Sequence, residues 1–145
     1  MTRRQAREQA FTILFEKSFH PETDLDEILE ISIEQELMQE DEYATALAKT
    51  AWDNLTKIDE LIEKNSIGWR INRISKVSLA ILRLAICEML HVPEVPVSVS
   101  INEAVELCKK FGAEEDGPFV NGILGSIARS SDMLGSGEND TAAEE

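Results

Sequence analysis

The sequence predicts an all-α protein, a compact helical domain of about six to seven helices with one central apolar helix. Three observations carry this prediction. Apolar residues recur at three- and four-residue spacing through about residue 129, and no segment keeps the two-residue alternation of a half-buried strand. Residues 79–89 are apolar nearly throughout, which suits a helix buried on most of its circumference. At 145 residues, with 43% hydrophobic content, the chain has the length of one domain with a single core.

Each element follows from local signals. The first helix starts at Thr2, with Gln5 completing a capping box, and ends before His20-Pro21. A second starts at Thr23 or Asp24 and buries Leu25, Ile28, Leu29 and Ile33; acidic residues near its start suit the helix dipole. A third, longer helix runs from about Asp41 to Asn65 on a stripe of Tyr43, Leu47, Leu55, Ile58 and Ile62, and Gly68 breaks it. The central helix spans about 75–91, and Pro93 and Pro96 end it with an extended link. Ser100 and Glu103 are spaced as a capping box for a helix over 101–111, with Gly112 placed for a positive φ at its end. Asp116-Gly117-Pro118 turns the chain into a last helix over about 118–129. The organisation is therefore a helical domain over 1–129 and, over 130–145, a small, polar, acidic tail expected to be disordered.

The net charge of −14 argues against a nucleic acid partner until its distribution is read. Residues 22–42 hold ten carboxylates and no Lys or Arg, and residues 130–145 hold five more and no base. Thirteen carboxylates then face all 14 Lys and Arg over the rest, a balance of +1 that leaves room for a local basic patch. Cys87 and Cys108 have no metal-ligand spacing and lie in apolar helical patterns, as expected of reduced core thiols in a cytoplasmic protein. No apolar run approaches the roughly 18 residues that cross a bilayer, so no membrane partner is expected.

Two basic-aromatic clusters point to single-stranded RNA. On the wheel of the first helix, Arg3, Arg4 and Arg7 fall within roughly 100°, with Phe11 and Phe15 on the same side. Ala6, Ala10 and Ile13 face the core, with Leu14 at the boundary. Arginines at a helix N-terminus oppose its dipole, which raises the odds of an external anion. The second cluster is Lys109, Lys110 and Phe111 before Gly112, then Phe119 after it. Cationic side chains hold phosphates, and ring faces hold unstacked bases. Arginines in a first turn are often merely solvated, and both phenylalanines of the first helix could belong to the core. Glu103 and Glu106 read as a solvated helix face, and His20 and His91 each end a helix. With no convergent histidine, metal motif or glycine-rich phosphate loop, no enzyme, metal or cofactor is expected.

Three segments, I-N-E-A-V-E-L-C-K-K-F-G, F-V-N-G-I-L and L-R-L-A-I-C-E-M, carry a resemblance to the NusB family of bacterial transcription antitermination factors. The likeness runs over about residues 2 to 129. It implies two small helical subdomains packed around the central helix. It also implies binding to boxA RNA of ribosomal RNA operons, jointly with the small-subunit ribosomal protein NusE, within an RNA polymerase antitermination complex. The implied RNA-facing residues are Arg3, Arg4, Arg7, Phe15, Lys109, Phe111, Glu115 and Phe119, with NusE docking near Ser78. Family members often have tyrosine where this chain has Phe15, and Gln5 and Ala6 interrupt the arginine tract. Homodimers that cover the RNA site are a further possibility the resemblance raises. The competing reading is a helical protein-interaction module that acts through its acidic second helix without RNA.

Overall fold

The computed structural model describes residues 1–68 and 70–130. The acidic stretch from 131 onward and Trp69 lie outside the described residues. Seven α-helices are found among the described residues: α1 (Arg3–Phe19), α2 (Leu25–Glu34), α3 (Glu42–Asp53), α4 (Leu55–Asn65), α5 (Lys76–His91), α6 (Val97–Phe111) and α7 (Asp116–Ala128). A 3-10 turn, Ile71–Arg73, leads into α5.

Helix α5 is the centre, as expected from its apolar run. It packs against α1, α3, α4, α6 and α7. Ile81, Leu82, Ile86 and Cys87 on it are fully buried. Helices α1, α2 and α3 form one group of neighbours and α4, α6 and α7 another. Ser75 caps α5 by accepting the N–H of Ser78 at 3.1 Å. The α1 capping box is present, with Thr2 Oγ1 accepting from the Gln5 N–H (3.0 Å) and Gln5 Oε1 from the Thr2 N–H (2.8 Å). No helix among the described residues is long and apolar enough to cross a membrane.

The structure departs from the sequence reading in three places. The long third helix is two helices, α3 and α4, divided at Asn54. Its backbone sits at φ −110°, ψ 25°, and its Nδ2 donates back to the Thr50 carbonyl at 2.8 Å. Asparagine competes in this way for backbone acceptors and so ends helices. Helix α6 starts at Val97, directly after Pro96, so Ser100 lies inside the helix and does not cap it. Its hydroxyl donates to Glu88 Oε1 at 2.7 Å instead. Gly112 ends α6 at φ −108°, outside the left-handed region. Glycine is needed there for space, since a Cβ would sit 2.6 Å from Asp116 Oδ2. That carboxylate accepts the Ala113 N–H at 2.7 Å and sets the α6–α7 turn.

Both cysteines are free thiols in the core, and burial pushes Cys87 up to about 12 and Cys108 up to about 11.

Candidate nucleic-acid interface

Helices α1 and α6 meet through side chains, and Arg4, Lys109, Lys110 and Phe111 lie at that edge. Arg4 makes a two-point contact with Glu103, Nε to Oε1 at 3.0 Å and Nη2 to Oε2 at 2.8 Å. Lys110 Nζ lies 3.0 Å from both carboxylate oxygens of Glu8. Phe111 meets Phe11 with ring centroids 4.9 Å apart, and Phe11 stacks on Phe15 at 5.7 Å. Lys109 is exposed and pairs with Glu106 on its own helix at 3.3 Å. A cleft of about 340 Å³ opens between the two helices, with Arg4, Glu8, Glu103, Lys109 and Lys110 on its walls.

The individual placements differ. Arg4 is 60% exposed at its side chain, and Phe111 is exposed while Phe15 is half-buried. Arg3 is exposed, its guanidinium carbon 3.8 Å from the centroid of the Tyr43 ring on α3, a cation-π contact. Glu115 is exposed just before α7, and Phe119 is partly buried against the core.

Two predicted site residues are not at the surface. Arg7 is 7% exposed. On the wheel it lies about 20° from Leu14, between Leu14 and the buried Phe11, because the covered arc of α1 extends farther round than Ala6, Ala10 and Ile13 alone suggest. Ser78 is 1% exposed and its hydroxyl has no hydrogen-bond partner among the described residues. The α5 helix packs it inward, so direct contact of its hydroxyl with a partner is not available in this conformation.

Arg7 instead anchors a buried polar network that the sequence reading missed. Its Nε donates to Glu88 Oε1 (3.1 Å) and Oε2 (2.9 Å), while Ser100 and Tyr43 each donate a hydroxyl to the same carboxylate. Four helices, α1, α3, α5 and α6, are joined at this one carboxylate. Burial, and then the bond to Glu88, raise the Tyr43 phenol above its ordinary value. One sequence signal was available: Glu88 is a lone acid within the apolar central helix.

Glu103 is also not the solvated carboxylate expected. Its side chain is 17% exposed and bridges Arg4 to Arg7, the latter at 3.8 Å. The Arg4 hydrogen bond holds its carboxyl below the ordinary value, against the opposing effect of burial.

Each of Arg4, Lys109 and Lys110 thus faces a carboxylate while keeping solvent access. Such pairs exchange a carboxylate for a phosphate at little net cost, because both anions accept the same N–H donors. The adjoining ring edges and faces offer stacking surface. The carboxylates of the acidic region line a separate groove of about 690 Å³ between α2 and α3, where Lys49 pairs with Asp26 at 2.8 Å. No group of His, Cys, Asp and Glu among the described residues is arranged to hold a metal.

Comparison with known proteins adds an independent line. The model of the NusB family matches residues 4–129. The transcription antitermination protein NusB of Agathobacter rectalis is 42% identical over 132 residues, covering 88% of this chain and 100% of that protein. T. maritima NusB superposes with a TM-score of 0.79 at 35% identity, over 93% of this chain and 98% of that one. A crystal structure of the antitermination factors NusB and NusE in complex with double-stranded RNA contains a chain with a TM-score of 0.76 and 30% identity. That match covers 88% of this chain and 97% of the other.

Proposed function

The chain belongs to the NusB family, and from that premise we propose that it is a non-catalytic antitermination factor that binds boxA RNA of ribosomal RNA operons jointly with NusE. In this reading it joins an RNA polymerase antitermination complex. The observation that carries the proposal is the α1–α6 edge, where Arg4, Lys109 and Lys110 surround a cleft beside the exposed Phe111 ring. Arg3, Arg4, Lys109 and Lys110 hold phosphates, and Phe15, Phe111 and Phe119 provide faces for unpaired bases. Glu115, exposed just before α7, limits how closely the backbone passes the α6–α7 turn. Arg7 acts from inside, holding α1 against α5 and α6 so that Arg4 is presented outward.

The domain boundary at 129, with an acidic tail beyond it, belongs to the same proposal. NusE docks on the α5 side near Ser78 and extends the basic surface. A homodimer that covers the α1–α6 edge would compete with RNA. The family match supports the NusE partnership, since a related NusB was crystallised with NusE and RNA.

A salt titration of boxA-like single-stranded RNA, with and without NusE, tests the proposal. Arg4→Ala is expected to weaken binding and flatten the salt dependence. Unchanged binding by that variant would leave the acidic α2 module as the better reading.

A further inference from the structure

A second groove, of about 830 Å³, runs between α6 and the first turns of α7. Lys109 stands on the walls of both this groove and the α1–α6 cleft, so the two openings meet at that exposed side chain. Asn102, Val105 and Lys109 form the α6 wall, at the three- and four-residue spacing of one helix face. Gly117 and Asn121 come from α7, and Glu114 from the turn before it.

Three features of this groove are not explained by the fold. Asn102 and Asn121 are exposed, and neither side-chain amide makes a hydrogen bond among the described residues. Glu114 is exposed and forms no ion pair among them. Gly117 is buried in the first turn of α7, and glycine is a poorer helix former than alanine. Packing does not demand it, because a Cβ there would meet only Val105 Cγ1, at an ordinary 3.9 Å. The missing methyl leaves the groove floor open.

We infer that this groove is a base-recognition subsite for single-stranded RNA, selective for a base that bears an exocyclic amino group. Lys109 holds the phosphate at the mouth, and the base lies over Val105 and Gly117. Its edge meets the Asn102 and Asn121 amides, which donate and accept, and the Glu114 carboxylate, which only accepts. An amino group offers that carboxylate N–H donors, whereas uracil presents carbonyl oxygens beside a single N–H. The Glu114 charge thus faces a base edge that matches it, and the phosphate stays with Lys109. The inference rests on the RNA reading of the α1–α6 edge and gives it a source of sequence preference. A base is favoured over an apolar protein segment, because the rim carries two unpaired amides and a carboxylate and opens at a lysine of the RNA edge.

The test titrates the full chain and its variants with a set of single-stranded RNAs, a boxA-like oligonucleotide in which each position in turn carries cytosine or uracil. For the parent, one position is expected to prefer cytosine by about tenfold, the worth of a hydrogen bond to a charged group. Asn121→Ala and Glu114→Gln should each cut that preference to about twofold. Asn121→Ala removes no charge and should leave the salt slope unchanged. Gly117→Ala should keep or raise the thermal midpoint, yet weaken the cytosine RNA about fivefold, because its methyl narrows the groove floor. If these three variants bind every RNA as the parent does while Arg4→Ala weakens them all, the subsite is overturned and the edge stands. If Arg4→Ala also changes nothing, the RNA reading itself fails. Loss of NusE binding or of self-association, with the base preference intact, would make the groove a protein contact, which also overturns the subsite.

Discussion

Arg7 and Glu88 meet inside the protein, 81 residues apart in sequence, with the Arg7 Nε 3.1 and 2.9 Å from the two carboxylate oxygens. An arginine placed by sequence on a ligand-binding face is thus part of the frame that shapes that face. Removing either partner strands a buried charge, which costs about 3–5 kcal/mol. Arg7→Ala and Glu88→Ala are each expected to lose stability on that order in urea unfolding. Their double variant should lose less than the two together. A loss under about 0.5 kcal/mol for either, the size of an ordinary surface substitution, would remove the network from the account.

Glu103 gives a prediction with a definite sign in pH. The Arg4 guanidinium lowers its carboxyl below the ordinary 4.5. A carboxyl depressed in the folded state adds stability above its unfolded value, and that contribution is lost as pH falls through the folded value. The stability difference between the native chain and Glu103→Gln is therefore expected at neutral pH and should shrink on acidification below about 4.5. The same variant frees Arg4. Exposed pairs are worth about 0.2–1 kcal/mol, so RNA affinity at neutral pH should rise up to about fivefold. A stability difference constant from neutral pH down to acid, or weaker RNA binding, would contradict this.

Lys109 and Lys110 are the cations at the other wall of the cleft. Each phosphate neutralised on a single strand contributes about 0.7 to the slope of log affinity against log salt. Lys109→Gln combined with Lys110→Gln should reduce that slope by about 1.4, with a uniform loss across RNA sequences. A slope equal to that of the parent would place neither ammonium on the backbone of the RNA.

Local signals predicted the elements that local chemistry controls. The Thr2–Gln5 box, the end of α1 before His20 and the central place of α5 were all readable, because each depends on residues a few positions apart. The approach of α1 to the Phe111 turn was anticipated in kind, but Phe11, expected beside the arginines, is 4% exposed and belongs to the core. What the sequence hid depends on distant partners. Arg7 and Leu14 share an angle on α1, and only α5 and α6, arriving with Glu88 and Ser100, decide that this angle is inside. Ser100 reads as a cap by spacing, but the buried carboxylate draws its hydroxyl inward and α6 begins a turn earlier. Asn54 divides α3 from α4 by a single side-chain bond to the backbone, a choice that periodicity does not register.

The most direct test follows backbone amide shifts of the labelled protein as boxA-like single-stranded RNA is added. The account predicts the largest changes over residues 3–19 and 106–119, with the α2–α3 groove around Asp26 and Lys49 unchanged. Changes centred on that acidic groove, with the α1–α6 edge silent, would contradict it.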